Sequence, residues 1–308
     1  MKLATSTGDF VRYNNSIADA MRSIGKTKFK YANLELDGPQ YVEMAVKPAE
    51  TVRLLREAAE KTGLTYSTAH APCLNAFAGD ETYYRQCVQA IRESIEIAGE
   101  LGIKGIVVHA SGAPGFTVGE FYRKNKAFYG EFFDLMEKYG ITVMTENVSG
   151  SDGCLFTGKD MREFADYVDH PLFGVCWDTA HCNLNAKARA VGQYDNIMAI
   201  GDKLKGLHIA DNFGDGPHHH TFPFAGIVNF DSVLQALIDV KYAGFFTFEA
   251  SYTLLHHTNI PYHRQSWEHD GRTVTTLLDP PVELKEEAVQ LMYDIGAYLL
   301  KTYHCFEL

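Results

Sequence analysis

The sequence predicts an α/β fold in which eight parallel strands and their helices form a single TIM-type (β/α)8 barrel. Short apolar or β-branched runs alternate with amphipathic stretches of helical length, and there are eight such units. No linker rich in Gly, Pro or Ser divides the chain, and its 308 residues, 46% of them hydrophobic, suffice for one large core. We therefore expect residues 1–308 to form one domain.

The strand candidates are residues 2–6, 31–36, 65–70, 105–109, 142–146, 173–178, 204–208 and 245–249. The helix candidates are residues 16–24, 48–62, 81–101, 118–139, 159–168, 192–201, 230–240 and 284–303. An open doubly wound sheet is the alternative architecture. It has less support, because no GxGxxG or GxxxxGK[ST] motif follows any early strand.

Six of the eight strand candidates end in a side chain that can bind metal, namely His70, His109, Glu146, Asp178, His208 and Glu249. Alone, such a Glu is usually solvated or ion-paired, and such a His is usually a hydrogen-bonded core residue. In a TIM barrel, however, the carboxyl ends of the strands converge on one face, where active sites are built. Carboxylates and imidazoles together suit Mn²⁺ or Zn²⁺. Two carboxylates on opposite walls could also move protons at substrate carbons.

The charge, hydropathy and cysteine content of the chain argue against a nucleic-acid or membrane partner and bear on its location. Its formal net charge of -11 disfavours a nucleic-acid backbone as partner. No apolar run is long enough to span a membrane, and the apolar part of the N-terminus is too short for a signal peptide. The six cysteines are scattered without CxxC spacing, which favours reduced thiols and a cytoplasmic location.

A long segment, residues 251–281, breaks the alternation after the eighth strand candidate. It contains four histidines and helix-breaking prolines, and it should lie over the mouth of the barrel. Two interpretations stay open for this segment: a lid over the site, or a subunit contact in a homo-oligomer.

Six segments resemble the xylose isomerase-like TIM barrel superfamily: TAHAPCLN, IEIAGELGIKGIVVHAS, ITVMTENV, GVCWDTAHCN, KGLHIADN and FFTFEAS. That superfamily includes sugar isomerases and epimerases, myo-inositol catabolic enzymes and the endonuclease IV type of abasic-site nuclease. The most specific motif is the Asp-x-x-His of Asp178 and His181, at the end of the sixth strand candidate. The resemblance covers nearly the whole chain up to about Ser251.

The resemblance implies a main metal site formed by Glu146, Asp178, His208 and Glu249. In ketose epimerases of the superfamily, the counterparts of Glu146 and Glu249 are also the acid/base pair, and the counterpart of His181 binds substrate oxygens. Those enzymes use an Arg shortly after the His208 equivalent, and the sequence HIADNFGDG has none here. Asp211, in this stretch, is a further candidate for substrate binding.

The endonuclease IV branch implies additional metal ligands. Counterparts of His70 and His109 bind a further zinc there, and counterparts of His181 and an Asp-x-His pair bind a third. In this sequence His218 and His220 would form that pair, with a His in place of the Asp. The alternatives are that His218–His220 form a solvated loop and that His70 and His109 only hydrogen-bond substrate.

These observations favour a divalent-metal-dependent isomerase or epimerase of a small sugar or polyol. Proton transfer would pass through a metal-bound enediolate, with Glu146 or Glu249 removing the proton and the other returning it. A metal-dependent lyase or dehydratase of a sugar or inositol derivative is the first alternative. An endonuclease IV-like phosphodiesterase is less favoured, because the predicted mouth loops DNFGDGPHHH and SGSDGCLF are acidic or neutral.

Overall fold

The computed structural model describes residues 1–37, 48–149, 154–215, 220–256, 265–277 and 279–307. Eight parallel strands form the barrel: β1 Lys2–Ser6, β2 Tyr31–Glu35, β3 Thr65–His70, β4 Gly105–Val107, β5 Thr142–Glu146, β6 Phe173–Asp178, β7 Leu204–His208 and β8 Phe245–Phe248. Each strand pairs with its sequence neighbours, and β1 also pairs with β8. Between β7 and β8, the Ile209 N–H donates to Thr247 O at 2.8 Å. This bond closes the barrel, and the predicted fold class is confirmed.

The helices that surround the barrel are α1 Ile17–Ile24, α2 Pro48–Thr62, α3 Glu81–Glu100, α4 Val118–Gly130, α5 Phe133–Tyr139, α6 Gly158–Val168, α7 Thr179–Leu184, α8 Ala186–Val191, α9 Gln193–Ile200, α10 Phe230–Asp239 and α11 Val282–Thr302. The helix predicted over residues 118–139 is divided into α4 and α5. Gly130 weakens the helix there, and the adjoining Phe132 side chain is fully buried. The short helices α7 and α8 were not predicted.

Three strand ends differ from the prediction by one or two residues. β4 ends at Val107 and β8 at Phe248, so His109 and Glu249 lie just beyond their strands. β2 ends at Glu35 rather than at residue 36. The Glu249 N–H still donates to Ile209 O at 3.2 Å, so the backbone pairing of β7 with β8 extends to this residue.

A small apolar layer fills the barrel below its carboxyl-terminal mouth. Val107, Met144 and Cys176, each 1% exposed, form a cluster separate from the larger core around the barrel. Gly206 makes room for Met144, because a Cβ at this position would lie only 2.7 Å from the Met144 sulfur. Side chains along a strand alternate in direction, so the residues two positions later form the next layer towards the mouth.

The segment after β8 begins with a 3-10 turn, Ser251–Thr253, and ends with an exposed antiparallel hairpin formed by β9 Trp267–His269 and β10 Arg272–Val274. Residues 257–264 and 278 lie outside the described part. The predicted lid or subunit contact stays a prediction. All six cysteines are free thiols. None of the helices within the described ranges is both long and apolar enough to cross a membrane.

Gly158 is the contact point between α6 and α9. Its N–H donates to the Asn196 side chain at 2.7 Å, and a Cβ at this position would overlap the Asn196 backbone oxygen. We expect Gly158→Ala to destabilise the fold by about 1–3 kcal/mol, because backbone atoms would have to move. Gly119→Ala is the control, since a Cβ there meets open space. Urea denaturation measures both, and equal midpoints would contradict this packing argument.

Candidate active site and metal centre

Glu146, at the end of β5, lies at the centre of a group of imidazoles in the barrel mouth. Its side chain is 1% exposed, and its Oε2 lies 3.0 Å from His208 Nδ1, 3.6 Å from His109 Nε2 and 3.7 Å from His70 Nε2. Its Oε1 lies 3.2 Å from His181 Nδ1. The barrel therefore brings together five candidate site residues that are far apart in sequence.

The four residues assigned to the main metal site lie together. Ligand atoms of Glu146, Asp178, His208 and Glu249 are all within 4.8 Å of one another. Although imidazole nitrogens lie close to Glu146, both Glu146 oxygens, Asp178 Oδ2 and His208 Nδ1 are buried and form no well-directed hydrogen bond within the described ranges. Buried polar atoms are normally hydrogen-bonded, so this group needs another partner. Carboxylate oxygens and an imidazole nitrogen directed at one point fit a divalent cation such as Zn²⁺ or Mn²⁺.

The Asp-x-x-His motif has a clear structural basis. Asp178 is the N-cap of α7, and its Oδ1 accepts the backbone N–H of His181 at 2.5 Å. Because one oxygen caps the helix, the other is directed into the mouth. The Asn147 side chain also pairs with the backbone of Asp178, at 2.7 and 3.0 Å. The motif therefore fixes one carboxylate oxygen and one imidazole on the same wall.

Two further groups in the mouth contain the additional histidines. His70 and His109 lie with Cys73, their ligand atoms within 4.8 Å of one another. His181 and His220 form a similar group with Asp178. His218 lies outside the described residues, so its predicted role stays a prediction.

The carboxylates control the charge of two of these histidines. Burial alone would lower the pKa of His70, but Glu35 and Glu146 outweigh it and raise the pKa to about 9. Burial would also lower the pKa of His181, but the negative charge of Asp178 outweighs it and raises the pKa to about 10. Burial lowers the pKa of His109 to about 4. Without a cation, imidazolium groups therefore balance the negative charge of the mouth.

The two predicted acid/base carboxylates are in different environments. Burial opposes ionisation of Glu146, but His208 and the other imidazoles hold its pKa well below the usual value. For Glu249, burial outweighs His208 and raises the pKa to about 7. Carboxyl groups whose pKa values are separated in this way are typical of active sites.

Glu35 and Cys73 are site residues that the sequence analysis did not select. Glu35 Oε1 lies 3.3 Å from His70 Nδ1, and Glu35 lines the same cleft as Glu249. Glu35 was missed because the second strand was predicted to end at residue 36, and only the last residue of each strand candidate was considered. A strand end one residue earlier would have added it to the strand-end set. Cys73 stands three residues after His70 in TAHAPCLN, and no spacing rule marked it.

Asp211 has a structural role in the loop after β7. Its carboxylate accepts four backbone N–H groups at 2.8–3.0 Å, from Asn212, Phe224, Gly226 and Val228. These bonds hold the loop in shape and occupy both oxygens. The predicted substrate contact of Asp211 stays a prediction, and the observed contacts do not support it.

The backbone on the carboxyl side of Glu249 is held by a buried pair of charges. Asp9 Oδ1 accepts the Ala250 N–H at 3.2 Å, and Lys285 Nζ donates to Ser251 O at 3.1 Å. Asp9 is 3% exposed and Lys285 is fully buried. Both ends of the chain therefore fix the position of a predicted catalytic carboxylate.

Two adjoining cavities meet at this group of residues. One, of ≈ 300 Å³, is lined by residues that include Arg12, Glu35 and Glu249. The other, of ≈ 380 Å³, is lined by residues that include His109, Glu146 and His181. Glu249, His70, Cys73 and His220 line both. Volumes of this order suit a small molecule, since ligand pockets usually measure about 300–1,000 Å³.

Residues 19–270 match the model of the family described as xylose isomerase-like TIM barrel. The chain belongs to this family. It is 25% identical over 240 residues to the L-ribulose 3-epimerase of Methylomonas sp. (strain DH-1), covering 75% of this chain and 77% of that protein.

Two solved structures have the same fold as this chain. A D-tagatose 3-epimerase-like protein superposes with a TM-score of 0.74 and 21% identity, covering 99% of this chain and 98% of that one. The IOLI protein, crystallised with a zinc atom, also gives a TM-score of 0.74, with 17% identity and coverage of 98% and 99%. Because both sequence identities are low, at 21% and 17%, these likenesses support the fold of this chain and nothing further.

The buried amine of Lys285 makes stability depend on pH. Burial outweighs the attraction of Asp9 and lowers the pKa of Lys285 to about 8, whereas an unfolded lysine titrates near ~10.4. Between these values the unfolded chain binds more protons, so this group makes the free energy of unfolding rise with pH.

We expect this rise to be smaller in Lys285→Met, when urea unfolding is measured from pH 8 to pH 10. Lys61→Met, which changes an amine on an exposed part of α2, is the control and should keep the wild-type slope. Identical slopes in the wild type and Lys285→Met would contradict the assignment of the effect to this amine.

Proposed function

We propose that this protein is a divalent-metal-dependent epimerase or isomerase of a small, uncharged sugar or polyol. The observation that carries the proposal is the group formed by Glu146, Asp178, His208 and Glu249, with ligand atoms within 4.8 Å of one another. The family includes relatives named as L-ribulose 3-epimerase and ketose 3-epimerase, which supports carbohydrate chemistry.

Glu146, Asp178, His208 and Glu249 would hold the cation. Their donor set, three carboxylates and one imidazole, suits Mn²⁺ or Zn²⁺, and a structural neighbour in the family binds zinc. When bound, the cation would supply Lewis-acid polarisation of the substrate oxygens. We also propose that His70 and His109, and separately His181 and His220, are candidate ligands for additional ions.

Glu146 and Glu249 would move the proton at the reacting carbon. They stand on walls of the barrel that β6 and β7 separate, so a sugar between them would present one face to each carboxyl group. One group would remove the proton and the other would return it on the opposite face or at the neighbouring carbon. When no additional ion is bound to it, His181, held by the α7 cap, would donate a hydrogen bond to a substrate oxygen.

The residues around the mouth favour an uncharged substrate. Four acidic side chains, Asp9, Glu35, Asp37 and Glu249, line the cavity of ≈ 300 Å³, and the whole chain has a net charge of -11. A polyanion such as DNA would meet repulsion at this surface. Hydroxyl groups can donate to these carboxylates, so a sugar or polyol suits the cleft.

The proposal is tested by incubating the protein with D-tagatose, D-psicose, D-fructose and L-ribulose in deuterated water, with Mn²⁺ and with Zn²⁺. We expect a metal-dependent epimer or isomer that carries solvent deuterium at the reacting carbon. Chelation should abolish the exchange, and added metal should restore it. Elimination without epimerisation would favour the lyase alternative. Cleavage of abasic duplex DNA, with every carbohydrate unchanged, would overturn the proposal.

We expect Glu146→Gln and Glu249→Gln each to lower turnover by at least about 10²-fold, the usual scale of acid–base catalysis. Glu163→Gln, a change in an exposed ion pair on α6, is the control and should leave turnover unchanged. Metal content is measured for each variant, because both residues are also candidate ligands. Wild-type turnover in either site variant at full metal occupancy would remove that residue from the acid/base pair.

A further inference from the structure

Arg12 lies in the wall of the cleft that contains Glu249. It follows the 3-10 turn Thr7–Phe10 after β1, is partly buried, and lines the cavity together with Glu35 and Tyr252. The other charged side chains named in this wall are carboxylates and histidines. Arg12 is thus the permanent cation among the described residues that line the cleft.

The backbone that carries Arg12 is held on both sides. Phe10 is fully buried, and the Tyr13 hydroxyl donates to Leu254 O at 2.8 Å. Asp9, three residues before Arg12, accepts the Ala250 N–H next to Glu249. The segment of Arg12 and the segment of Glu249 therefore form one fixed unit, which gives a binding group a defined position relative to the reacting carbon.

The Arg12 guanidinium makes no hydrogen bond or ion pair with the part of the chain that the structure describes, although four carboxylates line the same cleft. The planar guanidinium offers five N–H donors in a geometry that matches a carboxylate. None of the described residues occupies these donors at the cleft wall.

We propose that Arg12 is a substrate-binding residue that determines specificity for the hydroxyl-bearing end of the sugar remote from the reacting carbons. This inference rests on the proposed function and names a contact within it. The cation that Glu146, Asp178, His208 and Glu249 would hold binds the carbonyl end, and the ionised acid/base carboxylates only accept hydrogen bonds. A polyol also needs donors for its remaining oxygens, and Arg12 supplies them.

The acidic side chains of the cleft determine whether the terminal substrate group that Arg12 binds is charged or neutral. A terminal carboxylate or phosphate would be attracted by the guanidinium, but it would also meet the acidic side chains of Asp9, Glu35, Asp37 and Glu249, which when ionised offer it no hydrogen-bond donor. A neutral hydroxyl accepts from Arg12 and can donate to a carboxylate at the same time. The terminal group is therefore an uncharged hydroxyl.

The test compares wild type, Arg12→Met and Arg12→Lys on whichever of D-tagatose, D-psicose, D-fructose or L-ribulose the wild type converts fastest, and on its terminal-deoxy analogue. We expect Arg12→Met to lower kcat/KM for the ketose by about 10- to 100-fold, mainly by raising KM. A change of this size corresponds to the loss of one hydrogen bond to a charged group. For the wild type, kcat/KM should be lower by a similar factor on the terminal-deoxy analogue than on the ketose. For Arg12→Met, kcat/KM should be nearly the same on the two substrates. Arg12→Lys should fall between.

The control is Arg22→Met on the exposed face of α1, where Arg22 pairs with Asp19, and it should keep wild-type kinetics. Equal KM values for wild type and Arg12→Met overturn this inference and leave the proposed function standing. A higher kcat/KM for the corresponding terminal carboxylate, lost in Arg12→Met, overturns the uncharged class of substrate. A wild type that exchanges no proton into any of the four ketoses overturns the proposed function and this inference together.

Discussion

The buried carboxylate of Glu146 is the interaction on which the site depends. Four imidazoles from three strand ends and α7 surround it at 3.0–3.7 Å. Burying an ionised carboxylate without hydrogen-bond donors is expensive, so opposite charge has to be supplied nearby. Imidazolium groups or a divalent cation can supply that charge. Barrel closure makes this possible, because it directs residues from distant parts of the chain to one point.

The surroundings of the group keep it rigid. Val107, Met144 and Cys176 fill the barrel beneath it, so the side chains of the mouth have no space to move downwards. Asp9 and Lys285 hold the backbone next to Glu249 from the two ends of the chain. The proposed roles of Glu249, binding a cation and moving a proton, would need such support, since small displacements are costly in catalysis.

The sequence predicted the fold and the set of strand-end residues because both follow from periodicity. Alternation of strands and helices specifies a parallel barrel, and a parallel barrel places strand ends together. Boundaries were less predictable. Gly130 and the buried Phe132 interrupt a continuous helical pattern, and the extra strand residue assigned to β2 concealed Glu35. The role of Asp211 was not predictable, because its four bonds join backbone groups up to seventeen residues away.

Arg12 illustrates a second limit of sequence reasoning. The strand-end rule searches for acceptors and imidazoles, and an arginine six residues after β1 has no pattern that distinguishes it from a surface residue. The role proposed for Arg12 follows from charge and position together. The cleft contains four carboxylates, so a guanidinium that pairs with none of them, on a backbone fixed to the Glu249 segment, remains available for a ligand. In the proposed function, the metal ligands would define where the carbonyl end of a sugar lies. A donor on another wall would then limit how long the substrate can be and which oxygens it must carry.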